Sequence, residues 1–78
     1  NSISMYPNPA GDSVQINWNQ DQGISQLEIF DMLGKSVLQL DSLGSDGQLI
    51  SVAQLKAGIY IVKLSGPQAS YTSRLVKR

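Results

Sequence analysis

The side chains that most enzymes rely on are missing or scattered in this sequence. It holds no His and no Cys. A Ser–His–Asp or Cys–His arrangement cannot be assembled without an imidazole or a thiolate to move the proton or attack the substrate. A typical zinc site, built from the same two ligand types, is excluded with it. Six carboxylates remain: Asp12, Asp21, Glu28, Asp31, Asp41 and Asp46. Two of them across a cleft would suit glycoside hydrolysis. All but Glu28 fall in turn-like stretches, where Asp commonly bonds its own backbone. Asp41 and Asp46, with the carbonyls between them, offer oxygens of the kind calcium takes, yet the stretch lacks the alternating acids of an EF-hand loop. The glycines stand singly at turns, so no phosphate-cradling loop is present. The expectation is a chain that is not an enzyme and holds no cofactor and no metal.

Three further side chains are of types that serve binding rather than catalysis. Trp18, the single Trp, would serve as a carbohydrate platform if it lay flat on an exposed sheet. Its two-residue phase with Val14 and Ile16 places it in the core instead. Tyr71 and Arg74 are the one place where an aromatic and a base come close enough for single-stranded nucleic acid, and one such place is too little. No nucleic-acid partner is expected.

These residues must be positioned by a small scaffold. At 78 residues the chain has room for one domain and one modest core, without a disulfide to staple it. Formal net charge is zero, so no overall field draws in polyanions. The distribution is uneven. Residues 1–46 hold all six acids and a single base, Lys35, whereas residues 47–78 hold five bases (Lys56, Lys63, Arg74, Lys77, Arg78) and no acid. Either the halves interleave and neutralise across neighbouring strands, or a basic C-terminal edge is kept for recognition. The longest purely apolar run is Ile59–Val62, far short of the roughly 20 residues of a membrane-spanning helix, and no membrane insertion is expected. The start at Asn1, without Met, reads as a piece cut from a longer protein, with residues 1–78 as a single domain of it.

Turn-forming clusters recur along the chain, at Pro7–Asp12, Asn19–Gly23, Asp31–Gly34, Asp41–Gly47, Leu55–Gly58 and Ser65–Gln68. Each carries Gly, Asn, Asp or Pro, which supply positive φ, fixed φ or local side-chain turns. Between them lie short stretches rich in Val, Ile, Leu and Tyr, many alternating apolar with polar. Val14, Ile16 and Trp18 share a face, as do Leu27 with Ile29 and Ile50 with Val52. Strands are expected at 2–6, 13–18, 24–31, 35–41, 48–52, 58–65 and 69–76. Ile59 to Leu64 is apolar nearly throughout, so that strand is expected to be central and covered on both faces. A helix over Ser51–Ala57 would end at Gly58 after less than two turns, so a tight corner is the better reading. Leu55-x-x-Gly58-x-Tyr60 looks like a tyrosine corner, in which the phenol bonds to backbone a few residues upstream. The fold class is all-β: an immunoglobulin-like β-sandwich of about seven short antiparallel strands.

Three segments, in order, resemble the C-terminal sorting domain of type IX (Por) secretion. Met5-Tyr6-Pro7-Asn8-Pro9-Ala10-Gly11-Asp12 is similar to the family's opening Pro-Asn-Pro hallmark. Leu27 to Lys35, with Asp31 and Gly34-Lys35 at its end, resembles the family's hairpin. Leu55-Lys56-Ala57-Gly58-Ile59-Tyr60-Ile61-Val62-Lys63 resembles its Leu-x-x-Gly-x-Tyr strand. The end, Arg74-Leu75-Val76-Lys77-Arg78, looks like the family's short apolar-basic tail, with Arg74 and Arg78 beside Lys77 where Lys is frequent. The resemblance implies an address label at the C-terminus of enzymes and adhesins in Gram-negative bacteria. Such cargo crosses the inner membrane by an N-terminal signal and is in the periplasm in transit. The folded domain is then recognised by the type IX machinery at the outer membrane, and a sortase-like protease commonly removes it. The cargo ends at the cell surface or secreted. On this reading Leu75, Val76, Lys77 and Arg78 form an exposed edge for a receptor. Pro7, Asn8, Pro9, Gly34, Lys35, Gly58 and Tyr60 act structurally. The alternatives are a non-catalytic carbohydrate-binding or adhesive module of a secreted hydrolase, and a passive spacer.

Overall fold

The computed structural model describes residues 3–68 and 70–78. Ser2 and Ala69, which begin the first and last expected strands, lie outside the described residues, as does Asn1. Seven strands form: β1 (Ser4–Tyr6), β2 (Ser13–Asn17), β3 (Gln26–Phe30), β4 (Ser36–Leu40), β5 (Gly47–Ser51), β6 (Gly58–Ser65) and β7 (Ser70–Lys77). They make a three-stranded sheet in the order β1-β2-β5 and a four-stranded sheet in the order β4-β3-β6-β7. All neighbouring strands are antiparallel. This is the expected sandwich. Its fourth strand on the larger sheet, β4, lies beside β3, a placement compatible with the immunoglobulin-like plan of two Greek-key sheets.

Alternation built the core as the sequence implies. Val14, Ile16 and Ile50 from the smaller sheet meet Leu27, Ile29, Val62, Leu64 and Leu75 from the larger. Each fully buried Leu or Ile of this kind contributes about 1.5–3 kcal/mol. Trp18 is buried too, and its indole Nε1 donates to the Ser45 carbonyl at 3.2 Å. That bond meets the one polar demand a buried indole makes.

One expectation needs correction. β6 is central in its sheet, with β3 and β7 on either side, but only its inner face is covered. Tyr60, Val62 and Leu64 are buried, whereas Ile59 is 41% exposed and Lys63 faces solvent. The described residues form two layers, and none of them packs on the outside of the larger sheet. The apolar run therefore records a partly apolar outer face, not a third layer. In β4 the pairing shifts between Ile29 and Phe30, leaving Val37 as the extra residue of a bulge, packed against the core.

Candidate functional site

The residues that the sequence singles out collect in two places. The first joins the start of the chain to its end. Pro7 and Pro9 lack an N–H and cannot continue a ladder. Asn8 between them carries a carboxamide, one donor and one acceptor group on a single side chain. Its Nδ2 donates to the Arg74 carbonyl at 3.1 Å, and its Oδ1 accepts from the Val76 N–H at 3.0 Å. Asn8 thus imitates one residue of a neighbouring strand. Ala10 continues the job with its backbone: its N–H donates to the Val76 carbonyl at 2.7 Å, and its carbonyl accepts from Arg78 N–H at 2.9 Å. Ala10 pairs in parallel with Lys77 and is fully buried. Residues 7–10 form a strap along the outer edge of β7.

This strap corrects the expected exposed edge at 75–78. Leu75 is fully buried, Lys77 is 9% exposed with its Nζ donating to the Arg78 carbonyl, and the backbone of Val76 is occupied by the strap. The cause is alternation. Leu75 and Lys77 point inward with Tyr60 and Gly58, their partners on β6, so only Arg74, Val76 and Arg78 remain for contact with another molecule. Upstream, Thr72 lies on the same side of β7 as Val76 by the two-residue period, beyond the reach of the strap. There β7 is the last strand of its sheet.

The second place is where the hairpin meets the corner. Asp31 Oδ1 accepts from the N–H groups of Leu33 and Lys35, each at 2.9 Å, and the Asp31 carbonyl accepts from Gly34 N–H at 3.0 Å. Gly34 sits at φ 87°, a conformation that strains any residue with a Cβ. With Asp31 and Gly34 fixing the turn, Met32 and Leu33 stand out at its tip, 64% and 95% exposed. Tyr60 Oη donates to the Lys56 carbonyl at 2.7 Å, closing the tyrosine corner over a turn in which Leu55 N–H donates to the Val52 carbonyl. Gly58 opens β6 at φ 156°. Asp31 and Lys35 from the hairpin share a shallow depression with Leu55, Lys56 and Tyr60. The open surface is too shallow to exclude water from a reaction.

Between the two places runs the outer face of the larger sheet. Register places Ile59 opposite Val76, Ile61 opposite Arg74, Lys63 opposite Thr72 and Phe30 opposite Ile61. Glu28, opposite Lys63, is the one acid in this grid. Sequence reading missed Phe30, Ile59 and Ile61 as surface. The signal was an apolar residue at every position of Ile59–Val62, but its meaning depended on knowing that only two layers exist.

The profile of the family described as "Secretion system C-terminal sorting domain" matches residues 4–78. The chain belongs to this family. A similar protein is an endo-acting ulvan lyase of Formosa agariphila, 30% identical over 63 residues, which are 81% of this chain and 12% of that protein. The chain thus spans a small fraction of the length of that relative. As a sorting domain, the chain is a C-terminal signal for type IX secretion. The three segments whose sequence resembles the family's motifs fold as the strap, the Asp31–Lys35 turn and the tyrosine corner.

Proposed function

We propose that this sorting domain is the C-terminal part of a longer cargo and directs it across the outer membrane through the outer face of β6 and β7. The cargo passes through the periplasm, where the domain folds without metal or disulfide. The type IX machinery then engages it, and a sortase-like protease at the outer membrane removes it. The domain itself performs no catalysis. One observation carries the reading: the family match spans 4–78, from the first residue of β1 past the end of β7.

The docking surface follows from what alternation and the strap leave available. Val76 and Arg78, two of the four tail residues, stay on the surface with Arg74, beside Ile59 and Ile61. Leu75 and Lys77 support them from below. The surface is apolar with basic margins at Lys63, Arg74 and Arg78, so a complementary partner is an apolar patch rimmed by carboxylates.

The test is a fluorescent reporter carrying a periplasmic signal in front and residues 1–78 behind. It is expressed in a host with type IX machinery and in one without. Arrival outside the cell only in the competent host is expected. Periplasmic retention of the folded fusion in both hosts would defeat the reading.

A further inference from the structure

The outer face of the smaller sheet has a chemistry of its own. Two rungs cross all three strands: Tyr6–Gln15–Leu49 and, next to it, Ser4–Asn17–Gly47. None of these side chains carries a charge. Tyr6 is 55% exposed and Leu49 61%. Across the rungs runs a directed chain of hydrogen bonds. Gln15 Nε2 donates to Asn17 Oδ1 at 2.9 Å, and Asn17 Nδ2 donates to Tyr6 Oη at 3.1 Å. Gly47 makes room for it. A Cβ built there would run into Asn17 Oδ1 and come within 3.2 Å of Gln15 Nε2. The missing side chain lets both amides lie over the third strand.

We propose that this face binds neutral saccharide chains. The hydrogen-bond chain fixes its two ends. Tyr6 Oη accepts from Asn17 and keeps its own proton to donate outward, while Gln15 Oε1 keeps acceptor capacity at the other end. A donor and an acceptor held beside an exposed phenol ring and a Leu match a pyranose, which offers hydroxyls on its rim and C–H groups on its face. Ordering the amides against each other beforehand lowers the entropy lost on binding. Uncharged rungs give no reason for sulfated or uronic chains to be preferred. The occupant is therefore a neutral glycan. The inference is independent of the sorting role, because it uses the opposite face of the sandwich.

The test is an amide-resolved NMR titration of the 78-residue chain with cellohexaose, mannohexaose and laminarihexaose, and with hexagalacturonate as the anionic comparison. At least one neutral hexamer is expected to shift Tyr6, Gln15, Asn17 and Leu49 at low-millimolar concentration, with hexagalacturonate weaker. Tyr6→Ala and, separately, Gln15→Ala should each weaken the response about tenfold, the scale of a hot-spot contact. Ile59→Ser, on the far face, should leave it unchanged. No shift from any neutral hexamer overturns the proposal, as does equal or stronger binding of hexagalacturonate. Shifts of these residues that follow protein concentration without sugar would also overturn it, showing a face that pairs with a second copy.

Discussion

The two outer faces of this sandwich share one core and have little else in common. On the smaller sheet, the rungs around Gln15 and Asn17 are uncharged, and their amides are tied to each other and to Tyr6. On the larger sheet, Ile59, Ile61 and Val76 stand among Lys63 and Arg74 without a side-chain network between them. The first face orders its amides against each other and keeps a donor and an acceptor at the two ends of the row, suited to hydroxyl-rich ligands. The second leaves apolar area and cationic ends uncommitted, suited to a protein partner that supplies what is missing. The lesson is that a strand's inner positions specify the fold, while its outer positions are free to diverge.

Breaking the shared core should damage both faces together. Leu75→Ala empties a fully buried site beneath Val76 and Arg74, and such truncations cost about 2–5 kcal/mol. A fall of that size in urea-unfolding stability is expected, with loss of export and of any saccharide response. Removing the strap's side-chain bonds is the next largest change. Asn8→Ala gives up two hydrogen bonds to β7, worth about 1–2 kcal/mol together. Faster hydrogen exchange at Val76, with β2 and β5 unaffected, would place the damage on the larger sheet alone. Tyr60→Phe should cost about 1 kcal/mol through the lost bond to Lys56. An unchanged unfolding midpoint would remove the tyrosine corner from the account of stability. The smallest effect on stability should be the most informative for function. The double variant Ile59→Ser, Arg74→Glu alters exposed positions, and its stability should stay within about 0.5 kcal/mol of the parent. Reporter export should nevertheless fall several-fold, while Tyr6→Ala leaves export intact. If both variants export normally, neither face is read by the machinery.

Much of this was legible in the sequence. The seven strands and the inward phase of Val14, Ile16, Trp18, Leu27 and Ile29 follow from a period of two, a local property. The bond from Tyr60 to Lys56 spans four residues and could be read from the motif. The strap could not. Asn8 reaches partners 66 and 68 residues away, and no local pattern distinguishes an Asn that imitates a strand from one that makes a turn. The same distance hid the burial of Lys77, whose charge suggested exposure until Ala10 was seen to lie against it. The row of amides was equally silent, since Gln15 and Gly47 become neighbours only through strand pairing. Charge segregation was visible as a count, yet its meaning waited on topology. Arg74, Lys77 and Arg78 gather at the β7 edge, whereas Lys63 on the central strand stands opposite Glu28 and Lys56 shares a depression with Asp31, so the halves are segregated at the edge and interleaved elsewhere.

The strap also ties the order of synthesis to the order of folding. Residues 8–10 are made before residues 74–78 and must wait for them before their hydrogen bonds have partners. Closing so long a loop costs more entropy than any hairpin in the molecule and belongs late in folding. Strands β2 to β6 can pair before residues 74–78 are made; the clasp cannot. Without residues 74–78 neither Asn8 nor Ala10 has a partner on β7, so a fastened clasp requires both ends of the domain.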